Sequence, residues 1–134
     1  MSARIPPSLS DKCPCGSGEP GETCCLPVIR DRAAITAEQL MRSRYTAYVL
    51  GDETYLLETW APEYQPAELN LDPKQKWLGL KIKRTEAGGS NDDAGIVEFV
   101  ARYKIDGRGH RLHEVSRFRR ESGKWLYVTG EINP

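Results

Sequence analysis

The sequence of 134 residues has no long hydrophobic segment, no net charge and no cysteine outside one short stretch. No apolar run approaches the ~20 residues that a transmembrane helix needs, so we expect no membrane association. The first residues lack a charged segment followed by an apolar run, which argues against a signal peptide and for a cytoplasmic protein. Acidic and basic residues number 19 each, so overall charge favours neither nucleic acid nor membrane as a partner.

The common catalytic motifs are also missing from the sequence. It contains no nucleophile elbow, no phosphate-binding loop and no second cluster of metal-ligand residues. These absences favour a protein that is not an enzyme, without deciding the point.

All four cysteines lie between residues 13 and 25, as a Cys-x-Cys pair and a Cys-Cys pair. The residues between the pairs are mostly glycine, proline and polar residues, so a hydrophobic core cannot fold this segment. One Zn²⁺ ion bound by four thiolates would fold it, because zinc prefers tetrahedral sulfur coordination. We therefore predict one structural zinc per chain, with no open coordination position for catalysis. The predicted ligands are Cys13, Cys15, Cys24 and Cys25. We expect Lys12 and Arg30 to offset the negative charge of this site.

Disulfides and an iron–sulfur cluster are the alternatives for these cysteines. The α carbons of Cys24 and Cys25 are about 3.8 Å apart across a trans peptide, below the usual disulfide range, but pairing with Cys13 and Cys15 remains open. The spacing matches neither common ferredoxin pattern. A reducing cytosol favours metal ligation.

Two helices are predicted after the cysteine segment. Thr36 is a good N-cap with Gln39 three residues later, and Gly51 is a natural end for the first helix. Asp52 can cap a second helix that runs to Trp60. The arginines in the middle of the first helix are expected to be solvated or paired with the next segment. Residues 61–72 are predicted to be a loop, and residues 73–77 a single helical turn.

Beyond residue 77 the hydrophobic period changes to two. Leu78, Leu80 and Ile82 alternate with glycine and lysine, which indicates a strand. Further strands are predicted at 96–104, 111–120 and 124–129, joined by Gly-containing turns. Successive hairpins favour an antiparallel meander. Helices followed by such a sheet predict an α+β domain.

Several motifs resemble known families. Cys-Pro-Cys-Gly-Ser-Gly, followed after eight residues by Cys-Cys, resembles the SEC-C motif, which also forms the zinc-binding tail of the SecA translocation ATPase. Residues 36–48 resemble the YchJ-type family of small bacterial proteins, with further matches at residues 59–60, 77–80 and 123–127. The resemblance implies a zinc knuckle at residues 13–33, called the knuckle below, after a flexible lead-in at 1–12. It implies a cystatin-like or nuclear-transport-factor-like cone domain at 34–134, with a curved sheet over the helices. It implies no particular activity.

One face of the third strand indicates a candidate pocket in the cone. Alternation places Glu114, Ser116 and Phe118 on the same face, with Tyr45 and Trp60 as candidate walls. A carboxylate in an apolar pocket would be desolvated and could act as a base. His113 lies on the opposite face, so it is not expected to form a dyad with Glu114.

The alternative for these residues is structural. Buried carboxylates are usually paired, so Glu114 would bind an arginine such as Arg44 or Arg102. Ser116 would then hydrogen-bond to backbone.

Charge is unevenly distributed along the chain. Residues 52–72 hold six acids and no lysine or arginine, and residues 101–124 hold eight bases and three acids. The basic segment could attract an anionic partner. We favour the interpretation that the acidic and basic segments pair with each other or are simply solvated. We do not expect nucleic-acid binding, because no aromatic stacking platform accompanies the basic residues.

These features favour a zinc-stabilised protein-interaction or adaptor module that uses the knuckle. The candidate contacts at its tip are Glu19, Pro20 and Glu22. The resemblance to the SecA tail implies a protein partner in export or ribosome-associated machinery. The alternative function is a small-molecule binder or enzyme that uses the cone pocket.

Overall fold

The four strands form one antiparallel sheet in the order β1-β2-β3-β4. A computed structural model describes residues 12–69 and 71–132, so the predicted lead-in, except Lys12, lies outside the described residues. The elements in chain order are helices α1 (Cys25–Asp31), α2 (Ala37–Leu50) and α3 (Glu53–Glu58) and strands β1 (Lys76–Ala87), β2 (Ala94–Ile105), β3 (Arg108–Glu121) and β4 (Lys124–Ile132). Short 3₁₀ turns lie at Gly21–Thr23 and Pro62–Tyr64. The predicted α+β fold is confirmed.

Helix α2 begins and ends at the predicted residues. The Thr36 side chain accepts a hydrogen bond from the Gln39 amide at 3.0 Å, and Gly51 ends the helix with a φ of 74°. The Gln39 side chain accepts from the amide of Ile35 at 2.8 Å rather than from that of Thr36, so the reciprocal cap is displaced by one residue.

Helix α3 is shorter than predicted. The Asp52 carboxylate caps it through the Tyr55 amide at 3.0 Å, but the helix ends at Glu58. Trp60 instead forms an isolated parallel bridge with Tyr127 of β4. This pairing with a distant strand takes the chain out of the helix. In the described part of the chain, no helix is long and apolar enough to span a bilayer.

One short helix was not predicted, and one predicted helical turn is missing. The residues that follow the cysteines form helix α1, which buries Val28 and Ile29. Pro27 is the third residue of this helix, and proline is tolerated in the first turn because its missing N–H has no partner there. The helical turn predicted at 73–77 is wrong, since Lys76 pairs with Lys104 as the first residue of β1.

A bulge in β1 changes which of its residues face the core, compared with the predicted alternation. The register shifts between Trp77 and Gly79, which leaves Leu78 56% exposed. Trp77, Leu80 and Ile82 pack against the core. The extra residue of a bulge moves the following side chains to the other face, so the core side of β1 begins with Trp77 rather than Leu78.

The β2–β3 turn is shorter than predicted, the β3–β4 turn lies at the predicted Ser122 and Gly123, and the strands extend further than predicted. Asp106 and Gly107 both have positive φ, at 51° and 80°, as do Ser122 and Gly123, at 51° and 78°. Positive φ at both central residues is typical of the two-residue turns that match strand twist. The structure thus follows the predicted meander with shorter connections.

The core lies between the sheet and the helices. Helix α2 packs against α1, α3, β1, β2 and β4. The fully buried side chains include Leu40, Tyr55, Leu56, Val97, Thr46 and Ser43. Because α2 contacts every layer of the fold, its residues largely determine what the interior contains.

The base of the β1–β2 hairpin supports the first turn of α2 and generates a stability prediction. The Gly88 carbonyl accepts from the Ala37 amide at 2.9 Å. A Cβ on Gly95 would lie 2.5 Å from Gly88 Cα and 3.2 Å from Ala37 Cβ. We expect Gly95→Ala to lower the free energy of unfolding by about 1–3 kcal/mol, because the added methyl group would force the backbone at Gly88 and the first turn of α2 to move apart.

Urea unfolding measures this effect, and Gly109→Ala is the matched control. A Cβ on Gly109 has no atom within 4 Å, so its free energy of unfolding should not fall. Equal losses in the two variants would contradict the close approach at Gly95.

Candidate metal centre and cavity

The four cysteines converge at one point. All four are free, and their Sγ atoms lie within 4.8 Å of one another. Cys15 Sγ is 3.7 Å from Cys24 Sγ, which is 4.0 Å from Cys25 Sγ. Four sulfurs at about 2.3 Å from a central zinc would be ~3.8 Å apart. The cluster therefore fits a four-coordinate metal ion, and the disulfide alternative does not describe it.

Tight turns in the loop before α1 bring the two cysteine pairs together. Gly16 and Gly18 have φ of 83° and 87°, which glycine adopts without strain. The Cys13 amide donates to the Glu19 carbonyl at 2.7 Å and closes the loop. The 3₁₀ turn at Gly21–Thr23 then places Cys25 as the first residue of α1.

Side chains of α2 surround the sulfurs. Arg42 Nη1 donates to the Cys15 carbonyl at 2.6 Å and lies 4.0 Å from Cys15 Sγ. Thr46 Oγ1 is 3.6 Å from Cys13 Sγ. These two residues were not predicted, although their i, i+4 spacing places them on one helix face.

The predicted counter-charges are wrong. Arg30 pairs with the exposed Asp31 at 3.1 Å, and Lys12 is exposed. Arg42, held against Glu38 at 3.0 Å, is the cation that reaches the cluster.

Proximity perturbs the thiols themselves. Burial raises the pKa of the Cys24 thiol to about 11. Hydrogen bonds to Cys13 and Cys15 raise the pKa of Cys25, whereas hydrogen bonds from Cys13 and Cys25 lower that of Cys15. Thiols this close share protons, so several thiolates can coexist here only around a cation.

The predicted contact residues lie on the surface beside the cluster. Glu19, Pro20 and Glu22 are all exposed. A groove of about 340 Å³ separates this tip from α2, with Glu19 on one side and Glu38 and Arg42 on the other. The geometry leaves these residues accessible, and their role stays a prediction.

A second concave site lies between α2 and the inner face of the sheet. Its volume is about 270 Å³. Of the predicted pocket residues, it is lined by Tyr45, Trp60, Glu114 and Ser116. Phe118 is instead part of the hydrophobic core, where it packs edge-on against Tyr127 at 5.8 Å.

Arg44 is buried in this cavity and paired with the segment after α2, which is the second of the two alternatives expected for the arginines of this helix. It is 3% exposed, and its Nη1 donates to the Leu56 carbonyl and to Thr59 Oγ1, each at 2.7 Å. Its guanidinium carbon lies 5.1 Å from the Trp60 ring centroid and 4.7 Å from that of Tyr127. Burial lowers the pKa of Arg44, while these cation–π contacts and hydrogen bonds stabilise the charged form.

Glu114 is held by hydroxyl groups rather than by an arginine. Its Oε2 accepts from Ser116 Oγ at 2.6 Å and from the Tyr127 hydroxyl at 3.0 Å. Across residues 12–69 and 71–132, no basic group lies within 4.0 Å of its carboxylate. Both parts of the structural alternative are therefore wrong: the expected arginine pair is missing, and Ser116 bonds to a side chain. His113 pairs with Glu98 at 2.6 Å.

Acidic and basic segments complement each other only in part. Arg119 binds Glu63 through both terminal nitrogens, at 2.5 and 2.9 Å, and this lowers the pKa of Glu63 to about 2. Arg102, however, lies directly opposite Arg111 in the β2–β3 register, a like-charge pair that is unfavourable in a sheet.

Burial of Arg44 generates a second stability prediction. We expect Arg44→Met to lower the free energy of unfolding by about 1–3 kcal/mol, since the Leu56 carbonyl loses its best donor inside the protein. Thermal unfolding measures this. Arg102→Met is the control, and as a change at an exposed strand position it should stay within about 0.5 kcal/mol of the parent. Similar effects of the two changes would show that Arg44 is not buried.

Comparisons with known proteins agree with the fold and the cysteine cluster. The YchJ middle NTF2-like domain matches residues 36–130. A UPF0225 protein of Chromobacterium violaceum is 52% identical over 124 residues, covering 90% of this chain and 92% of the relative. A UPF0225 protein of Streptomyces coelicolor is 50% identical over 121 residues, covering 90% and 94%.

Two solved structures have a similar fold. A SEC-C motif containing protein from Rhodopseudomonas palustris is 36% identical with a TM-score of 0.79, covering 91% of this chain and 98% of the other. A sec-c motif containing protein from Psychrobacter arcticus is 25% identical with a TM-score of 0.72, covering 95% and 85%. The chain therefore belongs to the UPF0225 family, a family with a YchJ-type NTF2-like domain, and it carries the SEC-C motif.

Proposed function

We propose that the chain is a cytoplasmic zinc-binding adaptor, in which one structural Zn²⁺ ion holds the knuckle as a docking surface for a protein partner. The observation that carries this proposal is the convergence of four free thiols, with sulfur separations of 3.7 and 4.0 Å, beneath an exposed loop. Bound zinc would supply a cross-link and no reaction chemistry, because four thiolates leave no open position.

The chemistry of the donor set supports zinc as the metal. An all-thiolate, near-tetrahedral set suits zinc or an iron–sulfur centre and excludes hard cations such as Mg²⁺. The α2 side chains complete the site, since Arg42 opposes its negative charge and Thr46 can donate to Cys13. Such surrounding groups orient ligands and tune metal affinity.

The knuckle surface supports protein docking. Residues 16–20 are exposed. Because this loop contributes little to the core, a bound metal ion would be what fixes its conformation. Glu19 and Glu22 give the tip an acidic character, which favours a basic segment on the partner. The resemblance of the cysteine motif to the SecA tail favours a partner in export or ribosome-associated machinery.

Metal analysis tests the zinc part of the proposal. We expect native mass spectrometry to find one Zn²⁺ per chain and Cys24→Ser to lower zinc affinity. Arg42→Met should lower it by about 10–100-fold in competition with a chelator, because the cation beside Cys15 is lost.

Arg30→Met is the matched control for charge. Arg30 contacts only the exposed Asp31 among the described side chains, so its removal should leave zinc affinity unchanged. Purified protein that contains iron, or that retains no metal under reducing conditions, would contradict the proposal.

Affinity capture tests the docking surface. We expect Glu19→Lys combined with Glu22→Lys to abolish recovery of one specific protein, because charge reversal repels a basic segment. The control carries the same charge change at two exposed acids elsewhere, Glu68→Lys with Glu131→Lys, and should still recover it.

The recovered protein is then purified, and its affinity is measured at several salt concentrations. Zinc content and melting temperature of each bait are measured in parallel, so that unfolding of the knuckle is not mistaken for loss of a contact. Recovery of the same proteins by both double variants would show that the tip is not the docking surface.

A further inference from the structure

We propose that the cavity between α2 and the sheet binds a free amino acid with a large apolar side chain, in its zwitterionic form. This inference does not depend on the docking proposed for the knuckle. It arises from two opposite charges, those of Arg44 and Glu114, that line one small cavity with several aromatic side chains but form no direct ion pair.

Tyr127 separates the two charges. The Arg44 guanidinium carbon lies 4.7 Å from the Tyr127 ring centroid, and the Tyr127 hydroxyl donates to Glu114 at 3.0 Å. Each charged group is thus held by one end of the same side chain, and they form no direct pair. A ligand that carries one charge would satisfy one group and leave the other unpaired, which is unfavourable away from water.

Each charged group retains unused hydrogen-bonding capacity. Both strong bonds of Arg44 come from Nη1, and both bonds of Glu114 go to Oε2. The Tyr48 hydroxyl lies near the guanidinium. Burial raises the pKa of Tyr48, and the positive charge of Arg44 acts in the opposite direction. The remaining guanidinium N–H groups can bind a carboxylate, and the second Glu114 oxygen can accept from an ammonium group.

The position of the Glu114 carboxylate is fixed by its neighbours. It lies over Gly130 of β4, where any Cβ would overlap it. Two hydroxyl donors, from Ser116 and Tyr127, fix its orientation. A carboxylate placed this way is pre-organised for a donor from the cavity, which lowers the entropic cost of binding.

The lining residues and the volume of the cavity indicate the side chain and the size of the ligand. Tyr45, Trp77 and Phe99 supply apolar surface, which suits a large hydrophobic side chain better than a sugar. A volume of about 270 Å³ is just below the range of about 300–1,000 Å³ that is typical of ligand sites. This space matches an amino acid and is too small for a nucleotide.

The first experiment is calorimetric titration of the full-length, zinc-loaded chain. The probes are L-phenylalanine, L-tryptophan, L-leucine and L-methionine, each with its N-acetyl and carboxamide forms. The acetyl group removes the ammonium charge, and the amide removes the carboxylate. We expect saturable binding of at least one free amino acid and at least tenfold weaker binding of both blocked forms.

Variants then assign the ammonium contact. Glu114→Gln should weaken binding of the free amino acid at least tenfold and leave affinity for the N-acetyl form unchanged. Gly130→Ala should also weaken it, by displacing the carboxylate. Glu98→Gln, which changes a strand carboxylate paired with Arg84 and His113, should have no effect.

Three results would overturn the inference. These are no binding of any probe at millimolar concentration, equal binding of free and blocked forms, and unchanged binding by a folded Glu114→Gln variant. Should both cavity variants fail to fold, the comparison of free with blocked amino acids on the unaltered chain still decides. A loss of zinc or of partner recovery bears only on the knuckle.

Discussion

Helix α2 has to satisfy polar and charged groups on two sides at once, and the surrounding elements are arranged to meet that requirement. On one side Arg42 and Thr46 reach the sulfur cluster. On another, Arg44 enters the cavity, where Leu56, Thr59 and the aromatic rings of Trp60 and Tyr127 stabilise it. An unpaired buried guanidinium would be strongly unfavourable, so the positions of α3 and β4 are what allow Arg44 to be buried.

Local features of the fold could be predicted because their causes are local. The Thr36 cap, the Gly51 end and the meander follow from the preferences of single residues and short patterns. The early end of α3 and the strand at 76–77 could not be predicted in this way. In both cases backbone pairing with a distant strand, at Tyr127 or Lys104, replaces the helical conformation that the local sequence favours. The bulge at Leu78 likewise depends on its partner strand.

The candidate sites also combine features that follow from the local sequence with features that depend on distant contacts. The convergence of the four cysteines follows from their spacing, since so short a loop keeps them close. The groups around them depend on how the knuckle packs on α2, and no motif encodes that. Alternation placed Glu114 and Ser116 on the cavity side, but it could not show that hydroxyl groups rather than an arginine hold the carboxylate. That outcome requires Tyr127, which the bulge between Arg117 and Phe118 brings into position.

The knuckle and the cavity are also linked through the edges of the sheet. Gly16 approaches the Leu80 carbonyl of β1 so closely that a Cβ would be 2.9 Å from it, and Lys124 of β4 donates to the Arg32 carbonyl at 3.1 Å. Because β1 and β4 are the two outer strands, the segment from the cysteine cluster to the end of α1 contacts both edges as well as α2. This segment therefore joins the helix that carries Arg44 to the strands that carry Trp77 and Tyr127. The packing of the cysteine segment thus helps to position the walls of the cavity, although the cysteine cluster lies on the other side of α2.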